Sequence, residues 1–487
     1  MKNSNDATTL YDVLVVGAGL SGIGAAYHLQ TACPHKSFAV LEARSAIGGT
    51  WDLFKYPGIR SDSDMYTLGF PFSPWENPKA IADGPAILQY IKDTATKFGI
   101  DKKILFNHKV IDASWSDADK LWTIQIAANA EVPKSQLRCK FLFMCSGYYD
   151  YDKGYTPEFA GCDLFKGTII HPQKWDSNID YANKKVVIIG SGATAITLVP
   201  EMAKKAEKVI MLQRSPSYVV SLPSKDVIAN FFRKVLPSKM AYHLARWKNI
   251  LFAIGFYNAS RKWPEGVRKF IQKGIKKELG ETFDMKHFDP KYKPWDQRVC
   301  IVPDADLFHS IKTGKVEVVT DTIERFTTKG ILLTSGKELE ADLIVTATGL
   351  KVQLLGGMTM HINGELANSG SMHCYRGVMF SDVPNFAITV GYTNASWTLK
   401  CDLNCQFVTK VLNFMEAKKY SVCTPRFDSS VFKSEPLLDF DAGYVLRAFD
   451  SLPKQGSKHP WKVYQNYIKD LFSLKMESVN DKYLEYK

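Results

Sequence analysis

Short apolar runs that close on glycine alternate along this chain with segments whose apolar positions recur at helical spacing. That alternation predicts strand–helix–strand units built on parallel sheets. Residues 11–16 read as a strand running straight into Gly17, Gly19 and Gly22, with 21–30 as the helix behind them. Residues 37–41 read as the next strand, and Glu42 stands at its end. The plan then repeats, with 185–189 as a strand, Gly190 and Gly192 in the turn, 193–203 as a helix, and 209–212 as a strand running into Gln213 and Arg214. Each copy closes on a strand ending in a small residue and glycine, at 141–147 and 343–349. Before these lie alternating segments, 103–126 and 315–333, that suit a β-meander. Residues 222–293 are helix-rich, basic and aromatic, and read as a helical subdomain inserted into the second copy. Beyond Asp382 the chain returns to the first copy through a strand at 385–390 and a helix from about 398 to 417. The expected fold is therefore α/β, with two Rossmann-like dinucleotide-binding domains and an inserted helical subdomain. The first domain takes 1–150 and 350–487, the second 151–221 and 294–349, and the insert 222–293.

Composition changes little in this picture. At 487 residues the chain exceeds one simple core, and 45% hydrophobic with 23% charged residues is ordinary for a soluble globular protein. No uncharged apolar run approaches the ~18 residues that read as a membrane span, and residues 1–9 lack the apolar core of a signal peptide. Nine cysteines without a Cys-x-x-Cys pair suit small apolar fillers in a reducing cytoplasm, with Cys401 and Cys405 on one helix face. No metal site is expected. Charge is less even: of the net +12, residues 225–278 carry 13 lysines and arginines against 3 acids. A solvated helical face is the plain reading. Its alternative is peripheral contact with a membrane or a partner, through the apolar stretch 250–257 flanked by Arg246, Lys248, Arg261 and Lys262. Nucleic acid is set aside, because no binding motif accompanies the charge.

The glycine turns carry the chemistry. They allow a tight bend and close approach of backbone to a pyrophosphate, and the helix that follows supplies free N–H groups. Glu42 can accept from ribose hydroxyls and would repel a 2′-phosphate, whereas Arg214 can form a charge-assisted fork to one. The first site is therefore expected to hold FAD and the second NADPH.

Between the two fingerprints, Phe165, Gly167, His171, Trp175 and Asp176 stand at the spacing F-x-G-x-x-x-H-x-x-x-W-D. That pattern resembles the signature of Baeyer–Villiger monooxygenases. The tract 48–70, residues 295–298 and 391–397 resemble the ethionamide-activating branch of that family. The resemblance runs from Gly17 to about Asp402 and implies an FAD- and NADPH-dependent enzyme. In such an enzyme a C4a-peroxyflavin inserts one atom of O₂ beside a ketone carbonyl, giving an ester, or oxygenates sulfur. It implies FAD contacts from Ser21, Glu42, Thr50, Trp51, Asp52, Leu53, Asp62 and the backbone of Val110. Arg60, Ser61 and Asp62 would face the nicotinamide half. Ile189, Gly190, Ser191, Gly192, Ala193, Thr194 and Ala195, with Gln213 and Arg214, would hold NADPH. Arg298 would be the catalytic arginine, oriented by Asp62. Some relatives place a lysine before that arginine where this chain has Gln297. Phe165, Gly167, His171 and Trp175 would control domain positioning, with a hydrogen-bonded linker histidine as the simpler account of His171. Trp397 is expected to pack. The helix near Thr398 should aim its positive end at the flavin.

A permanently charged guanidinium suits this chemistry, because it can stabilise an anionic oxygen nucleophile and then the oxyanion of the adduct. Two rivals stand beside the leading reading. One is a flavin monooxygenase confined to nitrogen and sulfur; the other is a non-catalytic flavoprotein that docks on membranes. A disulfide reductase is set aside for want of a redox cysteine pair.

Overall fold

The computed structural model describes residues 9–438 and 442–487; the polar stretch 1–8 lies outside the described residues. Strand β1 (Leu10–Val16) is buried over its last four residues and needs cover on both faces. Helix α1 (Leu20–Ala32) gives cover, and β2 (Phe38–Leu41) pairs with β1 in parallel. Three helices follow, α2 (Thr50–Leu53), α3 (Met65–Leu68) and α4 (Gly84–Lys97). Next come β3 (Ile104–Leu105), β4 (Val110–Ser116), β5 (Leu121–Ile126) and β6 (Ser135–Met144). With β17 (Thr359–Ile362) and β18 (Glu365–Leu366) they form a sheet in the order β18-β17-β4-β5-β6-β1-β2-β3, and the strand Phe386–Ile388 also pairs with β6. Strand β6 joins two regimes. Its residues Ser135–Cys139 run antiparallel to β5, and from Arg138 onward it runs parallel to β1. The expected meander is thus β4–β5–β6. Residues 103–105 fall outside it, because Ile104 pairs in parallel with Val40; a strand of two residues carries no alternation to read.

The second sheet is wholly parallel, in the order β12-β9-β8-β16-β7. Its strands are β7 (Thr168–Ile170), β8 (Lys185–Ile189), β9 (Lys208–Gln213), β12 (Val316–Thr320) and β16 (Leu343–Thr346), with α5 (Ala193–Met202) after β8. The second meander was expected over 315–333. Instead β12 is a parallel edge strand, and the meander is β13 (Ile323–Phe326), β14 (Gly330–Leu333) and β15 (Glu338–Glu340). Alternation in β12 reflects one covered face, and that pattern is the same whichever way the neighbouring strand runs.

Between β10 (Val219–Leu222) and its parallel partner β11 (Cys300–Pro303) lie the helices α6 (Val227–Val235), α7 (Ser238–Lys262) and α8 (Pro264–Leu279). Helix α9 (Asp306–Lys312) follows β11, and α10 (Trp397–Lys418) packs along α1. Two short helices, α11 (Gly443–Leu446) and α12 (Tyr467–Asp470), sit near the chain end. Among the described residues no helix is long and apolar enough to cross a membrane, and eight of the nine cysteines are buried thiols, Cys162 being exposed.

The insert is anchored by a buried charge. Arg246, 4% exposed, donates to the carbonyls of Tyr66 (2.7 Å), Gly69 (2.8 Å) and Thr67 (3.3 Å) around α3. Ile250 is buried as well. The membrane-seated alternative for 250–257 and its flanking Arg246 would leave both at the surface, and both instead face inward. Arg246→Ala should leave these carbonyls unpaired and cost about 3 kcal/mol, read as a lowered urea midpoint with loosened α3.

Candidate active site

At the end of β1 the chain must turn under a neighbouring strand. Gly17 has φ +106°, and a Cβ there would stand 2.6 Å from the Cys145 carbonyl oxygen. A Cβ on Gly22 would stand 1.8 Å from the Gly17 oxygen. The second copy repeats the constraint, since Gly190 has φ +137° and its Cβ would meet the Ala347 oxygen at 2.4 Å. In both copies the glycine turn is pressed against the strand that ends in a small residue and glycine, so each fingerprint and its distant closing strand form one cradle.

The first cradle opens into a cavity of about 390 Å³ whose lining includes Gly17, Gly19, Ser21, Glu42, Thr50, Trp51, Ser61, Asp62, Val110 and Arg298. Glu42 is buried and accepts from the backbone N–H of Ala18 (2.7 Å) and of Arg44 (3.0 Å). Burial pushes its carboxyl up, against the pull of these two donors. Asp52 pairs with Arg44 at 2.6 Å, and Thr50 Oγ1 lies 3.3 Å from the Tyr151 hydroxyl. Leu53 packs with the second sheet's core, beside α5. These groups fit a dinucleotide: a cradle a Cβ would fill, an acid at the strand end, and Ser146 Oγ, buried in the lining without a partner among the described residues.

Arg298 reaches this cavity from the segment after the insert. Its Nε lies 2.8 Å from Asp62 Oδ2 and its Nη2 donates to Asp62 Oδ1 at 3.0 Å, a two-point fork. The adjacent Asp62 charge holds the guanidinium ionised beyond its usual range, and the side chain stays 35% exposed toward the opening. Arg60 makes a parallel tie, an ion pair with Asp306 on α9. Ser61 is buried and its Oγ accepts from Ser63 N–H.

Sequence reasoning missed the tyrosines around this fork. The Tyr148 and Tyr149 hydroxyls lie 2.6 Å apart, and burial pushes both phenols up, so both stay protonated. Tyr148 stacks on Trp397 at 5.1 Å, and the Trp397 indole N–H donates to Ser21 Oγ at 2.8 Å. Trp397 therefore packs, as expected, but as part of the cavity wall. The only sequence signal for Tyr148 and Tyr149 is their place just after the closing glycine, Gly147. Helix α10 starts at Trp397 without a side-chain cap, and Thr398 Oγ1 is buried without a partner among the described residues.

In the second cradle Ile189 and Ala195 are buried, and Ser191 Oγ donates to the Ser215 carbonyl at 2.9 Å, holding the loop after β9 against the glycine turn. Ala193 and Thr194 open α5 beside Gly192, and Thr194 is hydrogen-bonded to Tyr56. Arg214 is exposed in the loop after β9. Gln213 lies beside it at the end of β9. It is buried, and its amide donates to the His287 carbonyl (2.8 Å) and Thr320 Oγ1 (2.9 Å), inside the domain. Among the described residues no group of three His, Cys, Asp or Glu could hold a metal.

The motif between the cradles is packed on both sides. Phe165 is buried edge-on to Phe326, Trp175 meets Tyr181 edge-on, and a Cβ on Gly167 would stand 2.4 Å from the Asp342 oxygen. His171 Nδ1 accepts from Gln173 N–H (3.2 Å) while Nε2 lies 3.1 Å from the Gly349 carbonyl, so the neutral ring donates there. Burial lowers its pKa. A lowered folded-state pKa means the contact's stability is complete above ~6.5, the unfolded value, and is lost as pH falls from there through the folded value. Thermal melts between pH 7.5 and 5.5 should show wild type losing more stability than His171→Gln.

Two glycine cradles on one chain, with a guanidinium fork at the first, define a two-dinucleotide flavoprotein. Residues 12–355 match the model of the flavin-binding monooxygenase-like family, and the chain belongs to that family. It is 53% identical over 477 residues to the FAD-containing monooxygenase EthA of Mycobacterium tuberculosis, covering 98% of this chain and 97% of that one. It is 48% identical over 477 residues to the probable FAD-binding monooxygenase AlmA of Acinetobacter baylyi, covering 98% and 96%. Its fold is similar to an oxidized steroid monooxygenase bound to NADP, with TM-score 0.77, 21% identity, and coverage of 98% and 99%. An open cyclohexanone monooxygenase superposes with TM-score 0.72, 20% identity, and coverage of 86% and 90%.

Proposed function

We propose that the protein is an FAD- and NADPH-dependent monooxygenase of the Baeyer–Villiger type, converting ketones to esters and oxygenating sulfur compounds. Overall, ketone, O₂, NADPH and a proton give ester, NADP⁺ and water. Held by the first cradle, with Glu42 at the strand end, FAD would supply the activation of O₂, with NADPH as the reductant. The observation that carries the reading is the Asp62–Arg298 fork, set in the same cavity as Gly17 and Glu42. Arg298 supplies a fixed positive charge where negative charge builds on oxygen, first on the nucleophile and then on the former carbonyl. Asp62 holds the Nε–Nη2 edge of the guanidinium, so little reorganisation is needed when that charge appears. The protonated Tyr148 and Tyr149 add neutral donors at the same wall.

Arg298→Ala should lower ester formation roughly 10²–10³-fold with FAD content unchanged, and Arg298→Lys should recover little, since an ammonium cannot make the fork. Gas chromatography of ester and flavin absorbance read the two quantities. Sulfoxide from a thioether with no ester from any ketone would favour the nitrogen- and sulfur-directed rival. Arg214→Ala should raise the KM for NADPH about tenfold while leaving that for NADH in place.

The same reading includes peripheral contact with an anionic membrane through the basic insert. Val227, Ile228, Phe231 and Val235 stand exposed on α6, and Met240, Leu244, Trp247, Leu251 and Phe252 on the adjoining α7. So broad an apolar face is unusual on a free surface. The exposed Lys225, Lys234 and Lys239 lie on the same two helices or beside them, as an interfacial helix pair requires. Co-sedimentation with phosphatidylglycerol vesicles should be strong at low salt and weakened by Phe231→Glu with Leu251→Glu; no binding at low salt would remove this part.

A further inference from the structure

Arg447, at the C-terminal end of α11, is exposed and makes no hydrogen bond or ion pair among the described residues. Its guanidinium carbon stands 3.5 Å from the centre of the Tyr155 ring. A Cβ on Gly349 would lie 3.8 Å from its Nη2. We infer that Arg447 binds the phosphate on the nicotinamide side of NADPH, reaching the second cradle from outside its sheet. The inference rests on the NADPH-dependent reading above and deepens it by adding a cofactor contact.

Three observations carry it. The first is place. Gly349 lies two residues beyond Ala347, whose carbonyl presses on the Gly190 turn. In the order β12-β9-β8-β16-β7, Arg214 follows β9 on one side of that turn and Gly349 follows β16 on the other. A dinucleotide lies across the C-terminal ends of parallel strands. With its 2′-phosphate at Arg214, its nicotinamide half falls on the β16 side. The second observation is a fixed platform. The Gly349 carbonyl accepts from the Tyr155 N–H (3.0 Å) and from His171 Nε2 (3.1 Å), and Thr348 Oγ1 donates to the Tyr155 carbonyl (2.6 Å). The ring beneath the guanidinium is thus tied to the segment that closes the second cradle. The third is charge. Partial burial pulls the Arg447 guanidinium below its usual range, and no acid stands near to restore it. A cation stacked on a ring keeps its N–H groups for an anion, and a phosphate supplies the missing counter-charge. Tyr444, three residues earlier and on the same helix face, is hydrogen-bonded to Tyr148 in the wall of the large cavity. Through α11 the contact would link the seating of NADPH to that wall.

Calorimetric titration of the FAD-loaded full chain with NADP⁺, NAD⁺ and 2′,5′-ADP reads the contact without turnover. The last ligand carries the 2′-phosphate and the adenosine-side phosphate but lacks the nicotinamide-side one. Arg447→Ala should weaken NADP⁺ and NAD⁺ alike, each about tenfold, and leave 2′,5′-ADP unchanged. Arg447→Lys should recover most of that loss, since an ammonium still meets a phosphate as a point charge. Arg214→Ala should give another pattern, weakening NADP⁺ and 2′,5′-ADP but not NAD⁺. Flavin content identifies a variant that fails to fold, and Arg447→Gln then takes the place of Arg447→Ala. If the folded variant weakens all three ligands equally, or none of them, the assignment is overturned. If wild type and variants bind with the stated pattern yet wild type oxygenates no ketone and no sulfide, the oxygenation reading fails and the phosphate contact stands. If wild type binds neither dinucleotide, the NADPH reading fails and takes the contact with it.

Discussion

A carboxylate and a guanidinium from opposite ends of the molecule's middle meet at the mouth of the first cradle, and much of the architecture serves that meeting. Asp62 lies on the loop before α3, and Arg298 on the segment just before β11. Either charge alone at a half-buried site would pay a desolvation cost; together they hold each other in one geometry. Arg60 and Asp306 repeat the tie two residues away, so the stretch 60–62 is bound twice to the second sheet's surroundings. Arg246 grips the carbonyls of the helix that follows. The loop carrying Asp62 is thereby fixed from the insert side and from the β11–α9 side.

The contact at His171 is of another kind. It uses hydrogen bonds between neutral groups, and it links the chain before β8 to Gly349, the end of the strand that closes the second cradle. Contacts of this kind can shift without stranding a buried charge. The fork at Arg298 is charged on both sides, so parting it would strand a charge.

Several parts of this site were legible because they are local. A glycine turn needs its glycines within six residues, and Gly22 is required by the Gly17 carbonyl five residues before it, which a Cβ would strike. Glu42 was legible as the end of a strand. Others were not. Val316–Thr320 alternates like a meander strand but runs parallel to β9, because side-chain pattern reports a covered face and not a partner's direction. Gln213 stands beside Arg214 in sequence, yet its amide turns into the domain toward His287. Tyr148 and Tyr149 carry no motif, and only the folding of the first sheet against the insert's far end sets them beside the fork.

The sequence by itself determined the two dinucleotide cradles, their order, the opposite charges of Glu42 and Arg214 at the strand ends, and the family resemblance that singled out Arg298. These depend on neighbours within a few tens of residues, where chain geometry leaves few choices. Tertiary structure alone decided that Arg298 meets Asp62 across 236 residues, that Arg246 faces inward while Phe231 and Leu251 face out, and that Tyr148 stacks on Trp397 in the cavity wall. Such pairings are set by how whole layers pack, and no periodicity along the chain encodes the distance between layers.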